Sequence, residues 1–326
     1  MKAVWFESFG PADAVLQYGD QPTPTAGPGE VLVKLAFAGV NPSDVKKRAG
    51  AFPNLLDQGL IIPNSDGSGT IVAVGDGVSE TRIGERVFVY QGQYGRRLGT
   101  TAEYIAIDER RAPRLPETAD LAVAACIGIP IMTAHRCVFA DGPVADQRLL
   151  ITGGAGRVGF YAIQWAKHAG ATVIATASNE TDRELCLSLG ADHVVNHRDP
   201  NWGAVVSQDF GKVDRVIEVE FGANLPQVIQ CINTGGTIAT YSSAQVPTPE
   251  LPFRDMMFMD LTVRMVIVYA MPETAKEAAI ADTISALEEG WMVHRIAHKV
   301  PLNQPAKAHE LIEQGGFGGC VVIEIA

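Results

Sequence analysis

The residues whose spacing most clearly suggests a chemical role are three glycines, Gly153-x-x-Gly156-x-x-Gly159. Glycine in such a pattern lets the backbone turn tightly, lets a pyrophosphate approach, and lets a helix pack closely on a strand. A helical pattern begins near Arg157, and the start of a helix directs N–H groups and a positive dipole end at a phosphate. The spacing predicts dinucleotide binding, although a glycine-rich turn by itself occurs in many α/β proteins.

The segments around this turn are those that a dinucleotide-binding unit needs. Residues 149–177 run from an apolar stretch through the turn and an amphipathic stretch into a second β-branched run. This order predicts a strand, a helix and a parallel strand. Helical and strand patterns then alternate as far as a strand expected at Leu261–Val268, which predicts a doubly wound sheet with its ligand crevice at the carboxyl ends of the strands. The strand-end residues expected there are Ser178, Asn196, His197, Val219, Tyr241, Ser242 and Val268.

The first third of the chain has a different pattern. Short runs rich in Val, Ile and aromatic residues are separated by Pro and Gly clusters such as Pro22–Pro28 and Gly75–Gly77. Many short strands with turn residues between them predict an all-β, barrel-like domain. Within it, Asn41 precedes Pro42 and must be extended or in a turn, and Asp44 is a candidate cap for a short helix.

Composition excludes several classes of function. The 326 residues carry a formal net charge of −11 and no basic run, which argues against nucleic acid as a main partner. The five cysteines are scattered without a CxxC pair, which suggests a reducing compartment. No apolar run approaches the ~20 residues that span a bilayer, and the first ten residues lack the apolar segment of a signal peptide. We therefore expect a cytoplasmic protein with no membrane partner.

Several segments together resemble the medium-chain dehydrogenase/reductase superfamily, in particular its zinc-free quinone oxidoreductase branch, which includes ζ-crystallin. They occur in family order and are spread over most of the chain. The resemblance is carried by GVNPSDVKKRAG (39–50), SDGSGTIVAVG (65–75), TAEYIAI (101–107), IPIMTAHRCVF (129–139), residues 149–178 and LGADHVVNHRD (189–199).

The resemblance implies an α/β protein with a GroES-like β-barrel domain and a doubly wound Rossmann nucleotide-binding domain. It implies that the nucleotide-binding domain is inserted in the other one, so that residues 1–121 and 270–326 form the GroES-like catalytic domain and residues 122–269 form the Rossmann domain. Ligand pockets are common between domains, and we expect the active site in the cleft. Relatives pair through the nucleotide-binding domain, which implies a homodimer.

The residues that hold catalytic zinc in other branches of the superfamily are missing. Zinc needs thiolate or imidazole ligands with one open position, yet no cysteine precedes Cys126 and no histidine precedes His135. Residues 65–67 read Ser-Asp-Gly where the zinc branch has a GHE-type motif, and the structural-zinc cysteine cluster is absent. His294 and His298 have helical spacing but lie around a predicted strand. We expect no metal, which disfavours a zinc-dependent alcohol dehydrogenase.

The end of the second Rossmann strand bears on the type of cofactor. NAD enzymes usually have Asp or Glu there to accept from the ribose 2′-hydroxyl, whereas this chain has Ala177-Ser178-Asn179. Ser178 can donate to a 2′-phosphate, and Arg183 can supply charge and a bidentate fork. NADP(H) is therefore favoured over NAD(H), although Glu180 and other acids crowd the region. Arg183 is equally compatible with a solvated position on its helix.

The resemblance extends the set of cofactor contacts along the chain. Asn41 and Thr133 would approach the nicotinamide end, residues 155–158 would cradle the pyrophosphate, and His197 would lie near the adenosine. Thr133 could instead cap its helix, Asn224 could be an N-cap, and Tyr241 could be a half-buried strand residue. The full predicted set is Asn41, Thr133, Gly153, Ala155, Gly156, Arg157, Val158, Gly159, Ser178, Arg183, His197, Asn224, Tyr241, Ser242, Ser243, Val266, Ile267 and Val268.

The substrate side offers four candidates, Asn41, Lys46, Phe52 and Thr133. Quinone reductases of this branch often have tyrosines near positions 46 and 52, and this chain has Lys46 and Phe52. Lys46 could donate as a cation or point to solvent, Phe52 could stack on a planar ring, and Arg48 has a structural role in this interpretation. No general acid is identified, so solvent is the candidate proton source.

These observations predict a zinc-independent reductase that transfers hydride from NADPH to a quinone or a similar conjugated carbonyl. An enoyl or alkenal double-bond reductase is the enzymatic alternative, because it uses the same cofactor and cleft. The non-enzymatic alternative is an NADPH-binding redox sensor or a crystallin-like protein, which the missing tyrosines motivate. The expected partners are a small quinone or enone substrate and a second copy of the chain.

Overall fold

The computed structural model describes residues 1–325. They form two compact units, one made of Met1–Ile129 with the tail from Ile280 onward, and one made of Pro130–Ala279. Both divisions fall inside helices, at positions where no loop interrupts the sequence pattern. They lie eight and ten residues after the boundaries at 121/122 and 269/270 that we expected from the sequence.

The secondary structure contains strands and helices throughout the described chain. The strands are β1 (Lys2–Trp5), β2 (Gln17–Asp20), β3 (Glu30–Val40), β4 (Asp66–Val74), β5 (Arg86–Val89), β6 (Tyr104–Asp108), β7 (Arg148–Ile151), β8 (Thr172–Ala177), β9 (His193–Asn196), β10 (Val213–Glu218), β11 (Ile232–Thr240), β12 (Thr262–Met265), β13 (Ile296–Pro301) and β14 (Cys320–Glu324). The helices are α1 (Ala12–Val15), α2 (Pro42–Arg48), α3 (Leu121–Ala124), α4 (Gly128–Phe139), α5 (Arg157–His168), α6 (Glu180–Ser188), α7 (Trp202–Val205), α8 (Phe221–Cys231), α9 (Phe253–Phe258), α10 (Glu273–Glu289) and α11 (Pro305–Gln314).

The first unit is built on a mostly antiparallel sheet. Its strand order is β13-β14-β3-β4-β5, and β6 pairs with the other part of the long strand β3. Along β3, Val31, Val33 and Leu35 are buried while the residues between them are more exposed, which is the alternation of a strand with one face on the core. This sheet confirms the all-β character predicted for the first third of the chain.

The second unit contains a six-stranded parallel sheet in the order β12-β11-β10-β7-β8-β9. Its central strands are buried on both faces, because consecutive residues such as Leu149 and Leu150 in β7, and Val216 and Ile217 in β10, are all inaccessible to solvent, which is typical of a parallel sheet covered by helices. The chain moves outward from β7 in one direction and then from β10 in the other. The predicted doubly wound sheet is confirmed, and its order reverses between β7 and β10.

Two details of this unit differ from the sequence patterns. The last strand ends at Met265, because Val268–Ala270 form a 3-10 turn, so Val268 is not a strand-end residue. The helix expected to begin at Asn224 already begins at Phe221. Within residues 1–325, no helix combines the length and the apolar composition needed to cross a membrane.

Candidate functional site

The glycine-rich turn joins β7 to α5 at the place where the sheet order reverses. Gly153 has φ +61°, a left-handed conformation that glycine adopts without strain. A Cβ at Gly159 would lie 2.4 Å from the carbonyl oxygen of Gly153, so only glycine fits there. Gly156 donates its N–H to the same carbonyl oxygen at 2.9 Å, which closes the turn directly before α5.

This turn presents hydrogen-bond donors to an anion. The first N–H groups of an α-helix have no acceptor within the helix, and the helix dipole makes that end positive. The helix α5 begins at Arg157, immediately after Gly156, and the turn before it consists of three glycines and Ala155, whose side chain is a single methyl group. The predicted set from Gly153 to Gly159 therefore lies together in a cradle that fits the pyrophosphate of a dinucleotide.

A cavity of about 250 Å³ lies at the ends of β8 and β9. Its lining residue Ala177 follows Thr176, which accepts hydrogen bonds from the N–H groups of Gly153 and Gly154 in the cradle. It is lined by Ala177, Asn179, Glu180, Arg183, Val194, Val195 and Asn196. The Arg183 guanidinium (Nη1) is 3.0 Å from Oε1 of Glu180, and both side chains are largely exposed. Ser178 is half-buried between the end of β8 and the Asn179 cap of α6. The cavity has the size and polarity of a site for an adenosine ribose and its substituents.

His197 follows β9 and donates its backbone N–H to the carbonyl oxygen of Ala177 at 3.3 Å. Partial burial and the charge of Arg198 lower the pKa of its imidazole, and Asp182 opposes them. His197 is therefore neutral at physiological pH and lies at the strand end where the sequence pattern places it.

The sequence pattern missed a buried carboxylate at the end of β10. Glu218 is inaccessible to solvent, and its Oε1 accepts hydrogen bonds from Thr152 Oγ1 (2.9 Å), Asn224 Nδ2 (2.8 Å) and the N–H of Glu220 (2.6 Å). Burial raises the pKa of Glu218, and these hydrogen bonds oppose the rise. Because Asn224 lies inside α8, its interpretation as an N-cap is wrong; its amide binds Glu218 instead.

The segment after β11 lies next to this carboxylate. Tyr241 is half-buried and donates its N–H to the carbonyl oxygen of Glu218 at 3.2 Å. Burial of the phenol, with Cys137 and Glu218 nearby, raises the pKa of Tyr241 well above its usual value. Ser242 and Ser243 are held by the start of α8: the Ser242 carbonyl accepts from the N–H of Phe221, and the Ser243 hydroxyl accepts from the N–H of Gly222, both at 3.0 Å.

The predicted residues Val266–Val268 follow β12. Val266 is buried and donates its N–H to the carbonyl oxygen of Thr240 at 2.7 Å, which keeps this backbone beside the end of β11. Ile267 is exposed and Val268 is buried. Thr133 is buried in the middle of α4, so the interpretation of this residue as a helix cap is wrong.

A buried polar cluster surrounds Asn41 in the first unit. Asn41 is the N-cap of α2, and its N–H donates to Oδ2 of Asp44 at 2.9 Å, so Asp44 closes the helix start from the third helical position. The Asn41 amide donates to Oδ2 of Asp66, and so does the N–H of Ile129, both at 2.9 Å. In the sequence, Asp66 stands out only because residues 65–67 differ from the motif of the zinc branch. In the structure, Asp66 is the acceptor that holds the side chain of Asn41.

The ionisable groups of this cluster are strongly perturbed. Burial raises the pKa of Asp66 to about 8 and that of Asp44 to about 6. Burial also lowers the pKa of Lys47, which the two carboxylates oppose, and Lys47 Nζ donates to the carbonyl oxygen of Gln93 at 2.7 Å. Asp66 is therefore mainly protonated at neutral pH, because ionisation would place a second carboxylate in an enclosed site.

The other substrate-side candidates lie on or after α2. Lys46 is exposed, whereas its neighbour Lys47 is buried among the acidic residues. Phe52 is 48% exposed and precedes a 3-10 turn. The structural role expected for Arg48 is confirmed, since its buried guanidinium donates to the Gly10 carbonyl oxygen and pairs with Glu313.

Comparison with known proteins identifies the two halves of the chain. Residues 27–117 match the family described as alcohol dehydrogenase GroES-like domain, and residues 158–284 match the family described as zinc-binding dehydrogenase. The quinone oxidoreductase of Homo sapiens is 31% identical over 323 residues, which cover 97% of this chain and 94% of that protein. The expected GroES-like and Rossmann folds are thereby confirmed.

Two solved structures superimpose on the whole chain. A mycobacterial protein in complex with NADPH is 26% identical, with a TM-score of 0.88. A structure described as an NAD-dependent alcohol dehydrogenase is 27% identical, with a TM-score of 0.87. Each covers 100% of both chains, so the architecture is shared over its full length.

The zinc named in one family description does not fit the residues of this chain. Among the described residues, no group of three His, Cys, Asp or Glu side chains is arranged to hold a metal ion. The buried cluster around Asn41 offers carboxylates that already accept hydrogen bonds and contains neither a thiolate nor an imidazole. Catalytic zinc in proteins is held by such softer ligands, so we derive no step through a metal.

The buried Asp66 predicts a pH-dependent stability that an amide would remove. Since its pKa is about 8 in the folded protein and 3.8 in the reference state, the folded chain holds the proton more tightly than the unfolded chain. The free energy of unfolding should therefore fall as the pH rises from about 4 to about 8, and Asp44 acts in the same direction. Asp66→Asn keeps an acceptor for Asn41 and Ile129 without a charge, so urea unfolding should show a smaller loss of stability over this range.

Asp57→Asn is the control, because Asp57 is an exposed carboxylate in the same unit. This variant should retain the pH dependence of the wild type. If Asp66→Asn also retains it, the carboxyl of Asp66 does not hold a proton in the folded protein at neutral pH.

Proposed function

Since the chain belongs to the medium-chain dehydrogenase/reductase superfamily and to its quinone oxidoreductase branch, we propose that it transfers hydride from NADPH to a quinone or a similar conjugated carbonyl. The observation that carries the proposal is the glycine cradle at the reversal of the parallel sheet. Only a backbone without side chains permits the approach of Gly159 to Gly153, and the start of α5 lies directly behind it. This is the arrangement that binds the pyrophosphate of a nicotinamide dinucleotide.

The phosphorylated dinucleotide is supported by the residues after β8. The strand ends at Ala177 and is followed by Ser178, without the carboxylate that would repel a 2′-phosphate. Arg183 lies on the wall of the adjoining cavity. A mycobacterial neighbour of the same fold was solved with NADPH. We infer that Ser178 and Arg183 bind the 2′-phosphate.

The reaction chemistry follows from the proposed cofactor and from the residues around it. When bound, the reduced nicotinamide supplies a hydride, and the protein supplies orientation and electrostatics. Without residues that fit zinc, polarisation of a simple alcohol or ketone lacks its usual Lewis acid, whereas a quinone or an enone is already an acceptor. Asn41, held by Asp66, and Thr133 are the residues we propose at the nicotinamide end, with Phe52 beside the acceptor ring.

The proton that completes the reduction is assigned to solvent. Phe52 has no donor, Lys46 is exposed, and the protonated carboxyl of Asp66 is buried with its Oδ2 already accepting from Asn41 and Ile129. Water can deliver a proton once the acceptor carries negative charge. A cytoplasmic location remains the prediction from composition.

A panel of acceptors tests the proposal. The pure protein should oxidise NADPH with ortho- or para-quinones at a kcat/KM at least roughly tenfold above that for an α,β-unsaturated ketone or a 2-alkenal. Alcohols with NADP⁺ should give no turnover, and neither added zinc nor a chelator should change the rates. Absorbance at the NADPH band and mass analysis of the products are the measurements.

Other outcomes of the panel identify the alternatives. Faster turnover of an enone, with saturation of its carbon–carbon double bond, would assign the chain to the double-bond reductases. NADPH binding without any turnover would favour a redox sensor or a crystallin-like protein. Zinc-dependent oxidation of an alcohol would contradict the proposal altogether.

Arg183 tests the choice of cofactor. Charge-assisted hydrogen bonds contribute about 1.5–3 kcal/mol each, so Arg183→Ala should raise the KM for NADPH by roughly tenfold or more and leave that for NADH within about twofold. Glu180→Gln, which removes the partner of Arg183, should lower the KM for NADPH. Arg114→Ala is the control variant, because Arg114 is exposed in the other unit, and it should change neither value. An equal loss with both cofactors would show that Arg183 does not bind the 2′-phosphate.

We also propose that two copies of the chain associate through the edge of the parallel sheet. At one edge of the described parallel sheet, the strand β12 pairs only with β11. Around it, Phe253, Phe258 and Met265 are 69%, 72% and 75% exposed, and Arg264 is neutralised by Asp141. An unpaired strand edge with exposed apolar side chains can pair with a strand of another chain. In a dimer with a two-fold axis, both partners contribute the same surface.

A charge on this edge should separate the partners. Met265→Lys introduces a lysine of the kind that protects natural sheet edges, and it would appear twice across a two-fold axis. Sedimentation velocity at micromolar concentration should show a dimer for the wild type and a monomer for this variant. Ile83→Lys is the control, because Ile83 is equally apolar and 50% exposed in the other unit. A wild-type monomer would contradict the proposal.

A further inference from the structure

Glu220, between β10 and α8, binds a stretch of backbone with its carboxylate. Its Oε2 accepts from the N–H of Ala244 at 2.9 Å, and its Oε1 accepts from the N–H groups of Gln245 at 2.9 Å and Val246 at 3.4 Å. Successive backbone N–H groups that converge in this way form a concave site for an anion. Here the anion belongs to the protein itself, and it fixes the conformation of three consecutive residues.

The same segment is attached to the start of α8 by further contacts. The Ser243 hydroxyl accepts from the N–H of Gly222 and donates to the carbonyl oxygen of Val246. A Cβ at Gly222 would lie 2.4 Å from that carbonyl oxygen, so the two backbones approach too closely for any other residue. The stretch 242–246 is therefore held against 220–222, with the Glu220 carboxylate on its outer part.

Little else orders this segment. The twelve residues between Thr240 at the end of β11 and Phe253 at the start of α9 contain no helix or strand. Residues 244–248 are exposed, so apolar burial contributes little to their order. Ordering each residue costs backbone conformational entropy, and hydrogen bonds to a carboxylate are the main compensation available.

Glu220 is also joined to the glycine cradle. Its N–H donates to Oε1 of the buried Glu218, which accepts in turn from Thr152, the residue directly before Gly153. Hydrogen bonds thus run continuously from the cradle through two glutamates to residues 244–246. The segment that they hold begins with Tyr241, Ser242 and Ser243, which we expect on the nicotinamide side of the cofactor.

We infer that Glu220 is a positioning residue that preorganises residues 241–246 for binding of the nicotinamide dinucleotide. This inference rests on the proposed function, because it assigns the segment to the cofactor site. Without the carboxylate, the segment must be ordered when the cofactor binds, and that entropy cost weakens binding. Glu220 itself touches neither substrate nor reacting atoms in this account.

The test compares Glu220→Gln with Glu250→Gln, an exposed glutamate of the same loop. The glutamine keeps the size but presents an NH₂ group where a carboxylate oxygen accepted from the segment. In the protein without cofactor, hydrogen exchange at residues 244–246 should become faster in Glu220→Gln only. The Kd for NADPH from fluorescence titration and its KM should rise roughly tenfold, with kcat within about twofold. Glu220→Asp, which keeps the charge on a shorter arm, should restore part of the affinity.

The outcomes separate this inference from the proposed function. If the wild type does not bind NADPH, the proposed function fails. If the wild type binds and Glu220→Gln exchanges faster with an unchanged Kd, the segment is ordered by Glu220 but does not serve the cofactor, and the inference is overturned. It is likewise overturned if exchange is unchanged, or if kcat falls while the Kd stays constant.

Discussion

The contact on which this protein depends most is the approach of two backbone segments at the turn between β7 and α5. The carbonyl oxygen of Gly153 lies only 2.4 Å from the position that a Cβ of Gly159 would occupy, so helix and strand pack without an intervening side chain. That approach sets the direction of α5 and aims its positive end into the crevice of the parallel sheet. The same geometry places the cavity at the end of β8 and the neighbouring strand ends where we propose that the rest of the dinucleotide binds.

Buried carboxylates organise the polar surroundings in both units. Glu218 gathers Thr152, Asn224 and the backbone of Glu220, and Asp66 gathers Asn41 and the backbone of Ile129. In each case burial raises the pKa, while the hydrogen bonds favour the charged form. A single acceptor that binds several donors orders several segments at once, which is an effective way to fix residues that come from different parts of the chain.

Local patterns predicted the elements that close the dinucleotide cradle, because turn glycines, apolar strands and an amphipathic helix are adjacent in sequence. They did not reveal that Lys47, rather than Lys46, faces the buried acids, since the short α2 gives no long apolar stripe from which to infer its buried face. They also placed Asn224 at a helix start, although its helix begins at Phe221 and its amide turns inward to Glu218. Which side chains are buried and which groups they contact depends on which strand end lies beside which helix.

The parallel sheet and the glycine cradle were predictable from residue types at short spacing, and the missing thiolate and imidazole ligands for zinc were evident from the residues present. The family was predictable from motifs that occur in order over most of the chain. By contrast, the folded structure was needed to show that Thr152 donates to Glu218 and that Glu220 binds residues 244–246. The tertiary structure likewise made Asp66 the partner of Asn41. This difference arises because a carboxylate at a strand end is either solvated or a buried acceptor, and the packing of distant segments determines which of the two it becomes.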